Sequence, residues 1–180
     1  FSKPIQNRKF VFNLGGNVTY NNNVSFLNSE KNKGTNWIVG QRFATDIKIK
    51  KWLETTVGVN YSLNSNKYSL QKELNSDATG WTFSNSTRLF LPGNWKFNYE
   101  LDKTINSGFA SNVNTDPLII NATLEKGLFK KQNASIKLQA FDLLNQNTSV
   151  NRSVTGSAIT DTRTNRLGRY FMLSFVFRLN

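Results

Sequence analysis

The sequence predicts an all-β fold: an antiparallel, up-and-down transmembrane β-barrel, with eight strands in one domain that spans residues 1–180. Three observations predict this fold. Apolar and polar residues alternate over segments of about 10 to 14 residues. The links between these segments are alternately short and long, and the tryptophans lie where segments begin. Segments of this length exceed the usual strand of a globular sheet and suffice to cross a bilayer when tilted.

The first three predicted strands cover residues 10–20, 37–49 and 53–63. A polar stretch, 28–36, follows the first strand and is predicted as a loop, whereas only residues 50–52 separate the second strand from the third. Successive side chains of a strand point to opposite faces, so the apolar residues of each strand share one face. That face is formed by Phe10, Phe12, Leu14, Val18, Tyr20, Trp37, Val39, Phe43, Ile47, Ile49, Leu53, Val57, Val59, Tyr61 and Leu63.

The fourth and fifth predicted strands, 81–91 and 95–102, form a hairpin. A long link without clear pattern, 64–79, precedes them. Between them lies Pro92-Gly93-Asn94, in which proline fixes φ and glycine permits a positive φ, as a tight turn requires.

The last three predicted strands are 118–125, 134–140 and 169–180. The alternation breaks at residues 141–145, where a β-bulge is expected. The final strand is the most regular of the chain because every second residue from Phe171 to Leu179 is apolar.

The links divide into two classes by length. Those after the second, fourth and sixth strands are short, and the long ones are 28–36, 64–79, 106–117 and 145–165. In an up-and-down sheet every second link lies at the same end. One end of the sheet is therefore expected to carry tight turns and the other long loops, as bacterial barrels of the outer membrane do.

Hydrocarbon, rather than a protein core, is the expected contact of the apolar face. Trp37 and Trp81 begin strands below long loops, while Trp95 and, less well placed by its parity, Trp52 follow tight turns. Two aromatic groups one strand length apart are typical of the two interfaces of a membrane. The opposite face suits a wet lumen because it carries Arg42, Asp46, Lys48, Glu54, Arg88, Lys96, Glu100 and Lys137.

Two hairpin registers bring opposite charges together on the polar face. Folding the second and third strands about Lys51 places Lys48 opposite Glu54. Folding the fourth and fifth about Gly93 places Arg88 diagonally across from Glu100. Such pairs favour these registers.

The composition excludes most enzyme classes. Cysteine and histidine are both absent, which removes disulfides, thiolate nucleophiles, imidazole bases and the usual zinc or haem ligands. Glu100 and Asp102 share one face, but beside Lys96 and Arg88 they are interpreted as part of a charge ladder. We therefore predict no enzyme, no catalytic residue, no cofactor and no metal site.

The loop carboxylates Asp77, Asp116 and Asp161 could face a cation at the outer surface, but their spacing matches no EF-hand loop. The long links 64–79 and 145–165 are where contacts with a ligand are expected.

The net charge of +12 points to an anionic partner. Membrane lipid headgroups and lipopolysaccharide phosphates are favoured over nucleic acid because the cations lie mostly in connections and outline no single groove. These cations include Lys31, Lys33, Lys50, Lys51, Lys67, Lys130, Lys131, Arg152, Arg163 and Arg166.

The C-terminal third carries a recognisable pattern. Residues 138–147 read Leu-Gln-Ala-Phe-Asp-Leu-Leu-Asn-Gln-Asn, residues 161–165 read Asp-Thr-Arg-Thr-Asn, and a glycine precedes the terminal aromatic strand. This pattern resembles the C-terminal end of the outer-membrane β-barrel family of Bacteroidota, whose members are similar to TonB-dependent receptors.

The resemblance implies a function and several partners. The chain would supply the final eight strands of a large barrel in the outer membrane of a Gram-negative bacterium, as part of a ligand-uptake pathway. Phe171, Phe175 and Phe177 would present the terminal strand to the barrel-assembly machinery, and an energy-coupling protein of the TonB type would be a further partner. The terminal residue is Asn180 rather than the Phe of many proteobacterial barrels.

Two other interpretations remain open at this point. One is a complete, narrow eight-stranded barrel with a structural or adhesive role. The other is a soluble β-barrel that binds a small ligand or nucleic acid.

Overall fold

The computed structural model describes residues 1–7, 9–113, 115–129, 133–154 and 158–178. Within these residues the chain forms β-strands and one short 3₁₀ helix, Lys72–Leu74. The strands are β1 (Ser2–Ile5), β2 (Phe10–Leu27), β3 (Glu30–Lys50), β4 (Leu53–Tyr68), β5 (Ser76–Leu91), β6 (Trp95–Ser107), β7 (Leu118–Leu128), β8 (Ala134–Phe141), β9 (Thr148–Val154), β10 (Ile159–Asn165) and β11 (Tyr170–Phe177).

Nine of the strands form one antiparallel sheet in which neighbours in the chain are neighbours in space. The order is β1 to β8 followed by β11, while β9 and β10 form a separate two-stranded hairpin. The predicted all-β, up-and-down topology is therefore confirmed. Among the described residues, β1 and β11 form the two edges of the sheet and are not paired with each other.

The predicted number of eight strands is too low. β1 was missed because it has only four residues, one of them Pro4, which are too few to show a period. The β9–β10 hairpin was missed because the link 145–165 is polar on both faces, so no apolar alternation marks its strands.

Two links that were predicted as long loops are largely strand. Residues 28–36 contain only a tight turn at Asn28 and Ser29, both with positive φ, and then continue as β3. Two consecutive positive φ values are the signature of the type I′ turn that matches the twist of a hairpin. Likewise β4 continues to Tyr68 and β5 begins at Ser76, which shortens the link 64–79 to about half.

The two faces of the sheet differ as the alternation predicts. On the apolar face Leu138 is 48% exposed and Phe175 is 64% exposed, and with the exposed apolar residues of the other strands they form a large apolar surface of a kind that is rare on a soluble monomer. The fully buried residues of the strands, such as Ala44, Asn66 and Ala78, lie mainly on the other face. The apolar face therefore points outward, and the polar face is the lumen face.

The predicted bulge at residues 141–145 is wrong, because β8 ends at Phe141 and a turn follows. The backbone N–H groups of Gln146 and Asn147 donate hydrogen bonds to the buried carboxylate of Asp142, at 2.9 and 3.0 Å. The side-chain oxygen of Asn145 accepts a hydrogen bond of 3.0 Å from the N–H of Arg169. The hydrogen bonds of Asp142 and Asn145 therefore stabilise the turn after β8 and connect it to the residue before β11.

Candidate functional site

The lumen face carries a ladder of ion pairs near the tight-turn end. Lys48 lies 3.4 Å from Glu54, as the predicted register requires. The second carboxylate oxygen of Glu54 lies 3.5 Å from Arg88 on β5. A further pair joins Lys96 to Glu125 at 3.4 Å across β6 and β7. These side chains are partly exposed, so each pair contributes about 1 kcal/mol or less to stability. Their main effect is to keep the lumen face hydrophilic.

The predicted partner of Arg88 is corrected. Arg88 lies opposite Asn98 and Glu100 opposite Ser86, so the diagonal register is right. However, Arg88 extends towards β4 because Glu54 lies directly opposite it in that ladder. Within the described part of the chain, Glu100 and Asp102 have no ion-pair partner, so they are not held in the charge ladder that was expected.

Higher on the lumen face lies Arg42, which is exposed. Its neighbours in the ladders are Gly15 on β2 and Asn60 on β4, and no carboxylate of the described residues lies within ion-pair distance. Asp46, four residues along the same strand, instead accepts a hydrogen bond of 2.7 Å from the hydroxyl of Thr56. Arg42 therefore presents an uncompensated positive charge to the lumen.

Above this level the strands continue into a polar packed region at the long-loop end. The side-chain nitrogen of Asn36 donates hydrogen bonds of 2.7 Å to the side-chain oxygens of both Asn64 and Asn66. The side-chain oxygen of Asn32 accepts hydrogen bonds from Ser69 and from the N–H of Leu70, at 3.3 and 3.2 Å. Asn32, Asn36 and Asn66 are buried, so this region is held by amide side chains in place of an apolar core.

The β9–β10 hairpin is fastened at the same end by a buried ion pair. The guanidinium of Arg152 on β9 binds the carboxylate of Asp161 on β10 at 2.7 and 2.8 Å, and both side chains are less than a tenth exposed. Arg152 also donates to the carbonyl oxygen of Gly108, at 2.7 Å, and to the hydroxyl of Ser76, at 3.2 Å. We call Arg152 and Asp161 the loop latch because they join the hairpin to the ends of β5 and β6.

The latch brings three of the long links together. The N–H of Ala110, in the link after β6, donates to Asp161 at 2.8 Å, and the ring of Phe109 lies under the Arg152 guanidinium at 5.2 Å. A second contact joins the same link to the hairpin, since the hydroxyl oxygens of Thr115 and Thr148 are 3.3 Å apart. The predicted contact links 64–79 and 145–165 therefore meet, with 106–117 between them.

Paired charges at the latch set the protonation of Asp161. The hydrogen bond from the Arg152 side chain lowers the pKa of Asp161, the N–H of Ala110 lowers it further, and burial opposes both. The carboxylate is therefore ionised throughout the physiological range.

None of the three loop carboxylates forms a cation site with another. Asp161 is bound in the latch, Asp116 accepts a hydrogen bond of 2.7 Å from the N–H of Asn106, and Asp77 lies in β5. Among the described residues, no cluster of carboxylates suitable for a metal ion occurs. No helix in that part of the chain is long and apolar enough to cross a membrane.

Aromatic side chains border the outward apolar face at both ends. Tyr20 packs against Trp37 with ring centroids 4.7 Å apart, and Tyr61 packs against Trp81 at 4.6 Å. At the tight-turn end the ammonium of Lys126 lies 4.9 Å from the centre of the Trp95 ring. We call the part of the sheet between these two borders the membrane band, and the strand ends above Tyr20–Trp37 and Tyr61–Trp81 the outer extension.

Trp52, whose parity fitted the lower border poorly, lies exposed in the turn between β3 and β4. The carbonyl oxygen of Trp52 accepts a hydrogen bond of 2.8 Å from the N–H of Phe90, which places the residue beside β5 at the tight-turn end.

Comparison with known proteins gives a match to a family model and no match to an individual protein. Neither the curated proteins nor the solved structures contain a match. A family model described as the outer membrane protein beta-barrel family matches residues 5–177, which is nearly the whole chain. The exposed apolar face, the aromatic borders and the up-and-down topology agree with that description. The chain therefore belongs to the outer membrane protein β-barrel family, and its location is an outer membrane.

Proposed function

We propose that the chain forms the C-terminal wall and outer loops of a ligand importer similar to the TonB-dependent receptors of Bacteroidota, in a Gram-negative outer membrane. The observation that carries this proposal is the gathering of three links over the outer end of a polar lumen face by one buried latch. A barrel with a purely structural role does not require loops that are held together over its lumen. An uptake pathway does require such loops, because they form a binding surface between the lumen and the exterior.

The importer is a larger barrel than these strands form alone. In hydrocarbon every backbone N–H and C=O needs a partner, and an open sheet edge leaves a row of them without one. The outer edge of β11 and the upper part of β2 are such edges among the described residues. We propose that further strands of the same barrel pair with both edges.

The partners follow from the same proposal. The terminal strand β11, with Phe171, Phe175 and Phe177 on its outward face, is presented to the barrel-assembly machinery. An energy-coupling protein of the TonB type acts from the tight-turn side. The ligand contacts the loops that the latch holds, and Arg42 favours a ligand that carries negative charge.

A disulfide lock tests whether these loops must move. The chain has no cysteine, and the hydroxyls of Thr115 and Thr148 are close enough for their cysteine replacements to form a disulfide. A strain that lacks the protein is first screened for the nutrients whose uptake it has lost. In the strain complemented with Thr115→Cys/Thr148→Cys, we expect uptake of those nutrients to stop under oxidising conditions and to recover after reduction.

The matched control is a disulfide within the wall. The hydroxyls of Thr82 and Thr104 are 3.1 Å apart on neighbouring strands of the lumen face, where no opening is expected. Thr82→Cys/Thr104→Cys should leave uptake unchanged in both redox states. The proposal fails if no nutrient depends on the protein, or if the oxidised loop pair transports at the wild-type rate.

The gene sequence upstream of Phe1 tests the size of the barrel. The proposal expects that sequence to encode further strands. A signal peptide directly before Phe1 would favour the narrow barrel with a structural or adhesive role instead.

A further inference from the structure

Three lysines and two apolar residues form a surface patch on the outward face of the outer extension. Lys31 and Lys33 lie on β3 and Lys67 on β4, while Phe26 lies opposite Lys31 and Val24 opposite Lys33 on β2. Lys33 and Lys67 are diagonal neighbours, because Thr35 lies opposite Lys67 and Ser69 bonds to the backbone of Lys33. We call these five residues the outer lysine patch.

The positive charge of this patch is not neutralised within the protein. All three lysines are exposed, and in the described part of the chain none lies within ion-pair distance of a carboxylate. Asp77 on the same face lies opposite Ser65 and diagonal to Lys67, but no ion pair forms between Asp77 and Lys67. Three neighbouring cations of this kind attract a multivalent anion.

The position of the patch restricts what can approach it. The alternation that turns Trp37 and Tyr20 towards lipid continues without interruption through Lys33 and Val24, so the patch faces the same direction as the membrane band. On β4, Lys67 lies two residues beyond Ser65, the residue paired with Trp37. On β3, Lys33 lies four residues beyond Trp37, which is about 13 Å at about 3.3 Å per residue. This is the level just outside the hydrocarbon, where the headgroups of the outer leaflet lie.

The mixed chemistry of the patch favours an amphipathic anion. Phe26 is 72% exposed and Val24 is also exposed. A small anion would need only the lysines, whereas a phosphorylated glycolipid offers phosphates to the lysines and sugar C–H faces to the apolar side chains. We propose that the outer lysine patch binds the phosphorylated sugar headgroup of lipopolysaccharide from the membrane side.

Native mass spectrometry of the full-length protein, purified from outer membranes and stripped of lipid, tests this proposal. The probe is bisphosphorylated lipid A, compared with lipid A from which both phosphates have been removed. Each lysine near an anionic surface contributes about a factor of five, so Lys33→Gln/Lys67→Gln should weaken binding of the phosphorylated form about thirtyfold. Phe26→Ser should weaken it less, by about threefold.

The matched control is Lys50→Gln/Lys51→Gln, which removes the same charge from exposed positions at the opposite end of the sheet. We expect it to bind as the wild type does. The proposal is overturned if both double variants lose binding equally, if the dephosphorylated lipid binds equally well, or if millimolar inorganic phosphate displaces the lipid. Retention of an acidic protein by the patch in the absence of lipid would also overturn it.

This inference rests on the outer-membrane location and not on uptake. All the substituted side chains are exposed, so the fold should persist, and retained β-sheet circular dichroism checks it. A patch variant that loses lipid A but transports normally would leave the proposed importer standing, and the reverse result would leave the patch standing.

Discussion

The membrane band and the outer extension belong to the same strands but are held together in different ways. In the band, side chains such as Phe43 and Val57 point outward and stay exposed, so none of the elements that the structure describes packs over its outward face. In the extension, Asn36 and Asn66 are buried on the lumen face and bonded to each other. The band therefore relies on lipid to cover its apolar face, whereas the extension is stabilised by hydrogen bonds that it makes internally.

The difference shows that the surrounding solvent, lipid or water, determines which interactions stabilise a strand. Lipid covers the apolar face of the band at no packing cost to the protein. Above the bilayer, water surrounds both faces, and a buried polar group is tolerated only when its hydrogen bonds are complete. Changes that leave a buried polar or charged group without its partner should therefore damage the extension, and changes that place a charge in hydrocarbon should damage the band.

The largest expected effect is at the loop latch. Arg152→Ala leaves the buried carboxylate of Asp161 without its cation, and removal of one member of a buried pair costs about 3 to 5 kcal/mol. We expect β9 and β10 to lose hydrogen-exchange protection by that amount while the strands of the band keep theirs. Arg152→Met/Asp161→Leu, which removes both charges, is the control and should retain most of the protection. Equal loss across the band would mean that the hairpin is not a separate unit.

The next effect tests the band. Val57→Arg places a charge near the middle of the outward face and should cost about 2 to 4 kcal/mol in unfolding from lipid vesicles. Ser86→Arg is the matched lumen variant, because Ser86 is exposed and lies opposite Glu100. Asn60 is less suitable, since an arginine there would face Arg42. Similar costs for Val57→Arg and Ser86→Arg would contradict the assignment of the faces.

A smaller effect is expected within the extension. Asn36→Ala removes the donor to the side-chain oxygen of the buried Asn66, whereas the oxygen of Asn64 still accepts a hydrogen bond from Asn66. The loss at Asn66 should cost about 1 to 2 kcal/mol. Asn22→Ala on the outward face removes an exposed amide and should change stability little. Differential hydrogen exchange at residues 64–68 measures both. An unchanged protection pattern in Asn36→Ala would show that the amide network is not what holds the extension.

The smallest effect is the pH dependence of the latch. Because the pKa of Asp161 is lower in the folded protein than its ordinary value of 3.8, the carboxylate contributes stability that is complete above that value. This contribution is lost as the pH falls through the lowered pKa. Hairpin protection should therefore be constant from pH 7 to about pH 5 and decline only below about pH 4. Asp161→Asn should flatten the profile, and a decline near pH 6 would assign the titration to another group.

The sequence predicted the band well because lipid imposes a strict alternation. The faces, the tight turns and the contact between Lys48 and Glu54 all follow from a period of two and from hairpin geometry. The aromatic borders were predicted from Trp37, Trp81 and Trp95 for the same reason.

The extension was hidden because residues 30–36, its part of β3, are polar on both faces. Residues 28–36 were interpreted as a loop because Asn32 and Asn36 occupy buried positions that apolar side chains usually fill. Hydrogen bonds stabilise these buried amides, and the sequence therefore shows no apolar alternation here. Arg152 was noted only as a loop cation, and Asp161 only as a carboxylate that might face a metal ion. Their pairing depends on the β9–β10 register, in which they lie directly opposite each other, and that register was not recognised.

The hairpin of β2 and β3 has a practical consequence. Residues 21–27 of β2 pair with β3 along their whole length and extend about 23 Å beyond the border at Tyr20, at about 3.3 Å per residue. The turn at Asn28 and Ser29 is thus exposed at the end of a long, regular ladder. A short epitope tag placed between these two residues would lengthen only the turn, which makes this site suitable for labelling the protein on living cells.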